Sequence, residues 1–305
     1  MTDVPAEVPK AANIHWTGWA IALGSSVAFS ISTPIAKAAI LLGMAPATLL
    51  VLRLLITTLL LFSTTLLTEP VRLRIDRRHL MFCILAGLAN GVGMLAYFSS
   101  LTRLDSSIAA MIFSISPLVV LGLLALRGER VTPRNGARLA LGLGGVYLLI
   151  GPGGQVDLSG VALVMVSVLA VPFQLVIMQW YLQAHDPRTV TLYMVTTMMA
   201  VAIGWWLAQG AEWHDPGWRG WLLVLTLAFF STYLARLLLF LSVRKIGGGQ
   251  TGLLAPLETL LTVIWSTIFL NERLTTVQWL GGLLILISAG LAVNVLGRAQ
   301  RRKQT

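Results

Sequence analysis

Ala255–Thr276, APLETLLTVIWSTIFLNERLTT, sets a proline and a carboxylate, Pro256 and Glu258, into an apolar run and closes on an Asn-Glu-Arg turn at Asn271–Arg273. Ser116–Pro133, SPLVVLGLLALRGERVTP, follows the same plan: Ser-Pro-Leu, an apolar run, Gly-Glu-Arg, then a threonine. Pro117 and Pro256 lie 139 positions apart, and Glu129 and Glu272 lie 143 apart. A motif that recurs near half the chain length points to duplication.

The bulk numbers set the class. The chain is 56% hydrophobic and 11% charged, with a mean hydropathy of +0.82, too apolar for a soluble globule. A spanning helix needs ~20 apolar residues. Ten stretches qualify: 16–38, 47–67, 79–101, 105–126, 136–150, 159–182, 189–209, 218–242, 249–270 and 277–297. The expected fold is an all-α polytopic membrane protein with two five-helix halves, 16–151 and 152–297. A polar tail, 1–15, and a basic tail, 298–305, flank them.

The net charge of +10 invites a nucleic-acid partner, but the bases sit in short loops and at the C-terminus, beside apolar spans. There they act as topology signals. With the N-terminus inside, sixteen of the 22 Lys and Arg fall on the inner side. Only Arg103, Arg219 and Arg273 fall outside, and Lys37, Arg53 and Arg236 lie within spans. Both termini are therefore expected in the cytoplasm. Nine of the ten tryptophans sit at or near span ends, as an indole suits the headgroup level, and Trp265 alone lies inside a span. The one cysteine, Cys83, excludes an intramolecular disulfide, and nothing calls for a metal or cofactor.

Five spans per half is an odd number, so the second half must cross in the opposite sense. The prolines pair across the halves, Pro34 with Pro172 in the first spans and Pro117 with Pro256 in the fourth. Inverted repeats of this kind mark transporters, with the binding site near the midplane between halves.

Two five-helix halves, each with a fourth-helix proline, an apolar run and a [GN]-E-R turn, resemble the EamA-type branch of the drug/metabolite transporter superfamily. Arg53, in VLRLLITTLLL, is similar to the arginine of that family's second helix. The long halves are most similar to bacterial amino-acid exporters of the YddG type, which export aromatic amino acids. The resemblance implies a ten-helix monomer in the inner membrane of a bacterium. Its central cavity would be lined mainly by helices other than five and ten. One departure is NER at Asn271–Arg273, where LGE-type endings are usual, though Glu272 keeps the acid.

Charge inside a bilayer is expensive, so each intramembrane charge is a candidate functional residue. Glu258 is the one acid deep in a span, ~14 Å from its helix's inner end at 1.5 Å per residue. It either meets a substrate ammonium or a proton in a cavity, or bonds to groups freed by Pro256 or to a neighbouring base. Arg236, ~9 Å from its inner end, either snorkels to the headgroups or faces inward, where it binds a substrate carboxylate or pairs with Glu258. Lys37 is expected to snorkel outward, and Arg53 to pack structurally at the outer edge of the bundle.

Among uncharged groups, Asn90, Met94 and Tyr97 share one face of span three, and Thr232 and Arg236 are the repeat partners of Asn90 and Met94. Ser30 and Thr33 in span one, Ser114 in span four, and Phe173, Gln174 and Met178 in span six stand near prolines. Kinks at Pro34, Pro117, Pro172 and Pro256 would free carbonyls to face a ligand. The alternative for these polar groups is interhelical hydrogen bonding. Span five (Gly142, Gly144, Gly145) and span ten (Gly281, Gly282, Gly290) carry glycines that suit close packing rather than ligand contact.

The function expected is a secondary transporter that exports amino acids or related small metabolites by alternating access. A sugar or nucleotide-sugar carrier and a multidrug exporter are rivals within the class. An intramembrane enzyme is disfavoured because all four histidines and all six aspartates lie in tails, loops or span ends. No Walker motif is present, so transport would be passive or ion-coupled.

Overall fold

The computed structural model of the chain describes residues 11–68, 75–125, 133–150, 156–182, 186–211, 213, 215–246, 254–288 and 291. All regular structure among them is helical. The first half holds α1 (Ala11–Ser30), α2 (Ser32–Leu41), α3 (Pro46–Thr68), α4 (Arg77–Ser100), α5 (Ser106–Phe113), α6 (Ser116–Ala125) and α7 (Pro133–Ile150). The second holds α8 (Leu158–Ile177), α9 (Pro187–Ala208), α10 (Gly217–Thr226), α11 (Ala235–Ile246) and α12 (Ala255–Leu270), followed by a helix over Thr276–Ser288. Two wider π-helical segments interrupt this half, Met178–Leu182 after α8 and Leu227–Leu234 between α10 and α11.

Helix lies on each of the ten apolar stretches, and among the described residues six helices are long and apolar enough to cross a membrane: Trp16–Leu41, Pro46–Leu67, Arg77–Ser100, Leu158–Leu182, Arg188–Ala208 and Gly217–Leu239. Ser106–Val120, Ala255–Leu270 and Thr276–Ser288 are shorter apolar helices. These proportions make the chain a multi-pass membrane protein. The outer surface agrees: on α3, Leu55, Leu59, Phe62 and Leu66 face out at helical spacing while Arg53, Leu54, Thr57, Leu61 and Thr65 are buried. A water-soluble helix would show the reverse pattern.

The prolines act in three different ways. Pro34 and Pro117 stand in the first turns of α2 and α6, just after breaks at Ile31 and at Ser114–Ile115. Proline lacks an N–H, so the carbonyl four residues earlier loses its donor. For Pro34 that carbonyl belongs to Ser30, and the Thr262 hydroxyl of α12 donates to it at 3.0 Å. For Pro117 it belongs to Phe113, and the Ser116 hydroxyl donates to it at 2.6 Å. Pro172 lies inside α8, which continues unbroken to Ile177. Pro256 is corrected from a mid-helix kink to a helix start: it occupies the first turn of α12, where a missing N–H costs nothing. Glu258 is therefore a first-turn residue of the described helix, not one nine residues in. Gly249, which opens the ninth stretch, and Glu129 lie outside the described residues.

α4 packs against α8 and α9, α1 against α11, α3 against α9 and the 227–234 segment, and α12 against α5 and α1. The α7 and Thr276–Ser288 helices meet through glycine, as expected. A Cβ on Gly145 would lie 2.6 Å from the Gly281 carbonyl oxygen and 3.0 Å from the Ile285 nitrogen. One on Gly282 would meet the Met111 side chain at 2.5 Å, whereas Gly144 faces open space. Gly290 lies outside the described residues.

Backbone atoms cannot step aside as a side chain can, so Gly145→Ala is expected to cost ~1–3 kcal/mol, seen as a lower melting temperature of the purified protein. Gly144→Ala should melt as the parent does. Equal melting of the two variants would disprove the close approach.

Candidate functional site

A cavity of about 270 Å³ opens among α1–α5, α8, the 227–234 segment, α11 and α12. No described residue of α7 or the Thr276–Ser288 helix lines it. Of the residues singled out in the sequence, Thr33, Asn90, Met94, Tyr97, Gln174, Arg236 and Glu258 line its wall. The i, i+4, i+7 face of α4 therefore delivers three side chains to one place. Tyr97 shares a 3.2 Å hydrogen bond with Thr33 and meets Phe113 edge-on, ring centroids 5.4 Å apart.

Five of the expected site residues do not line the cavity. Ser30 is fully buried and accepts the Trp265 indole N–H at 3.0 Å, which explains the one tryptophan inside a span. Ser114 bonds to the Ala110 carbonyl and shares a 2.6 Å bond with Thr259, tying the break between α5 and α6 to α12. Thr232 is turned away, donating to the Leu227 carbonyl and accepting from Arg53. Met178 accepts from the Gln174 amide at 2.7 Å and packs in a separate cluster around Cys83 and Met194. Phe173 points outward, 40% exposed, because the residue after a cavity-facing or core position on a helix is rotated by 100°.

Arg53 was placed wrongly by sequence. It is 2% exposed and lines the cavity. Its Nε donates to Thr232 Oγ1 at 2.6 Å and Nη2 to Ser231 Oγ at 3.3 Å, Phe98 lies beneath it at 5.4 Å, and Nη1 has no partner. The 227–234 π segment brings both Ser231 and Thr232 to the Arg53 guanidinium, although only Ser231 lines the cavity. The Thr57 hydroxyl, one turn along α3, donates to the Arg53 and Ala228 carbonyls. Arg236, at the start of α11, holds a buried Nε without a partner. No ion pair joins Glu258 to Arg236 or Arg53, so the structural pairing considered for Glu258 is not formed among the described residues.

A second polar cluster closes one end of the bundle. Glu272 is 8% exposed, and each carboxylate oxygen takes an amide and a hydroxyl: Oε1 from Ser106 at 2.8 and 2.6 Å, Oε2 from Ser107 at 2.9 and 2.5 Å. Asp76, Asp157 and Asp186 cap their own helices, α4, α8 and α9, but Asp105 makes no such bond. A carboxylate from the other half caps α5 instead, meeting the positive end of the helix dipole. Lys37 does not snorkel. Its Nζ donates to the Leu101 and Leu104 carbonyls at 2.7 and 2.9 Å, closing the C-terminal end of α4. Beside it Arg103 reaches Ser159 and Asp157. Asp157, outside the spans, is held below the usual carboxylate range by the Ser159 hydroxyl first, then by backbone amides and Arg103.

A helical bundle with lipid-facing flanks and a buried, charged cavity defines a membrane transporter architecture. The chain belongs to the EamA-like transporter family, whose model matches it twice, over residues 16–151 and 158–294. An uncharacterized transporter from Archaeoglobus fulgidus is 26% identical over 210 residues, spanning 68% of this chain and 75% of the relative. A solved crystal structure matches with a TM-score of 0.65 and 19% identity over 93% of this chain and 98% of the other, which shows a shared fold.

The two glutamates are expected to separate under mutation. Glu272→Ala strands two helix-end amides and the Ser107 hydroxyl, while Ser106 keeps its bond to Ser266, and should cost about 2–3 kcal/mol. Glu258→Gln removes no formed bond and should leave the melting temperature unchanged while altering transport. Destabilisation by Glu258→Gln alone would reverse the assignment.

Proposed function

We propose that this small-molecule transporter exports amino acids, aromatic ones included, or closely related metabolites across the inner membrane of a bacterium. The observation that carries the reading is the cavity itself. Thr33, Arg53, Asn90 and Tyr97 come from one family-matched half, and Gln174, Arg236 and Glu258 from the other. A void shared by two halves is what alternating access requires. Charges of both signs beside Tyr97 and Phe113 suit a zwitterion with an apolar side chain. At about 270 Å³ the cavity suits a small metabolite.

In this reading the chain crosses ten times as inverted five-helix repeats, with both termini cytoplasmic, as the sixteen-to-three bias of basic residues supports. The Glu272 and Lys37 clamps then stand at the outer mouth and must part for release. The breaks before Pro34 and Pro117 are where the helices flex. Of the acids among the described spans only Glu258 lines the cavity, so a proton relay lacks further members.

Purified protein in liposomes should carry labelled amino acids faster than empty liposomes, and repeating the flux with and without a proton gradient identifies coupling. Flux equal to that of empty liposomes for every amino acid tried would end this reading.

A further inference from the structure

We propose that the cavity is an acid-group receptor, in which Arg53 Nη1 and Arg236 Nε hold the carboxylate of the transported molecule. The acid group is then obligatory and the amino group dispensable. The inference rests on the transport reading and narrows its substrate.

The charges that line the cavity do not balance. Arg53 and Arg236 both line the cavity, and Glu258 is the one acid that does so among the described residues. The hydroxyls of Thr232 and Ser231 orient the Arg53 guanidinium at 2.6 and 3.3 Å but bring no negative charge. Its Nη1 and the Nε of Arg236 are buried N–H groups with no acceptor. A buried cation without a counter-charge is strongly unfavourable, and an unmade hydrogen bond adds to the penalty. An anionic ligand removes both, and guanidinium N–H groups match the geometry of a carboxylate.

The remaining wall sets the other half of the ligand. Tyr97 and Phe113 meet edge-on at 5.4 Å, with Phe29 and Phe98 on the same lining. That surface takes an apolar or aromatic tail. Glu258 can take an ammonium, yet losing that contact forfeits one ion pair, whereas losing the acid leaves two guanidinia unpaired. Two cations against one anion therefore favour a carboxylate-headed, apolar-tailed molecule whether or not it carries an amine.

The test uses the full-length protein in detergent, with labelled 3-phenylpropionate as probe and L-phenylalanine, phenethylamine and L-phenylalaninamide as competitors. The expected result is saturable binding of the probe, displacement by phenylalanine, and competition by the two acid-free amines at least ~100-fold weaker. Arg236→Gln should collapse this ratio by weakening the acids alone, a change that mere loss of packing would not produce. Arg53→Lys, which keeps the charge, should retain part of the preference. Absence of saturable 3-phenylpropionate binding, or its displacement by the amines as readily as by phenylalanine, overturns the inference and leaves amino-acid transport standing. Binding of 3-phenylpropionate without binding of any amino acid supports the receptor and ends the amino-acid reading. Unchanged selectivity in Arg236→Gln overturns it as well.

Discussion

Inside a bilayer no water can satisfy a broken backbone hydrogen bond, and each orphaned group costs several kcal/mol. This constraint organises the molecule. Several irregularities beside the cavity are answered by a side chain: Thr262 for the Ser30 carbonyl, Ser116 for that of Phe113, Thr57 for that of Ala228. Helix ends are treated alike, with Lys37 on the carbonyls after α4 and Glu272 on the amides that open α5. Several of these bonds run between the two halves, so the repairs also hold the halves together.

Against that background the cavity is the exception. Among the described residues Nη1 of Arg53 and Nε of Arg236 stay without acceptors and Glu258 without an ion-pair partner, although all three residues line one void. A protein that satisfies Ser30 and Phe113 so completely has not left charged groups unpaired for want of partners nearby. Ser231 and Thr232 instead hold Arg53 in a set orientation without neutralising it. In the proposed receptor this is preorganisation, which would lower the ordering cost of ligand binding.

The separation of Glu258 from Glu272 shows where the duplication is informative. Glu272 has a counterpart in Glu129 at the matching motif position and proves to be a helix-end residue with four bonds. Glu258 has none and faces the void. Repetition reads out architecture, because both copies must solve the same folding problem, while a departure from it marks what one copy alone does.

Much of the class was legible in composition and periodicity. Apolar runs of spanning length, tryptophans at their ends, and the recurring Pro–apolar–Glu-Arg plan all depend on local chemistry that a linear string records. So did the α4 face of Asn90, Met94 and Tyr97, because 3.6-residue periodicity is a local property. The role of Arg53 was not legible: its depth in the sequence said edge of the bundle, while the π segment at 227–234 carried its partners, 178 and 179 positions away, onto its head group. Nor was that of Ser30 or Thr232, each beside a cavity-lining residue in sequence but turned to a different neighbour, nor that of Lys37, which bonds to the carbonyls after α4, nor that of Phe173, which points outward. The sequence by itself determined a duplicated, membrane-embedded helical chain with a few costly buried charges. Which charges meet, and which stay open to a ligand, was decided only by tertiary structure, since it depends on how helices from opposite halves are rotated against one another.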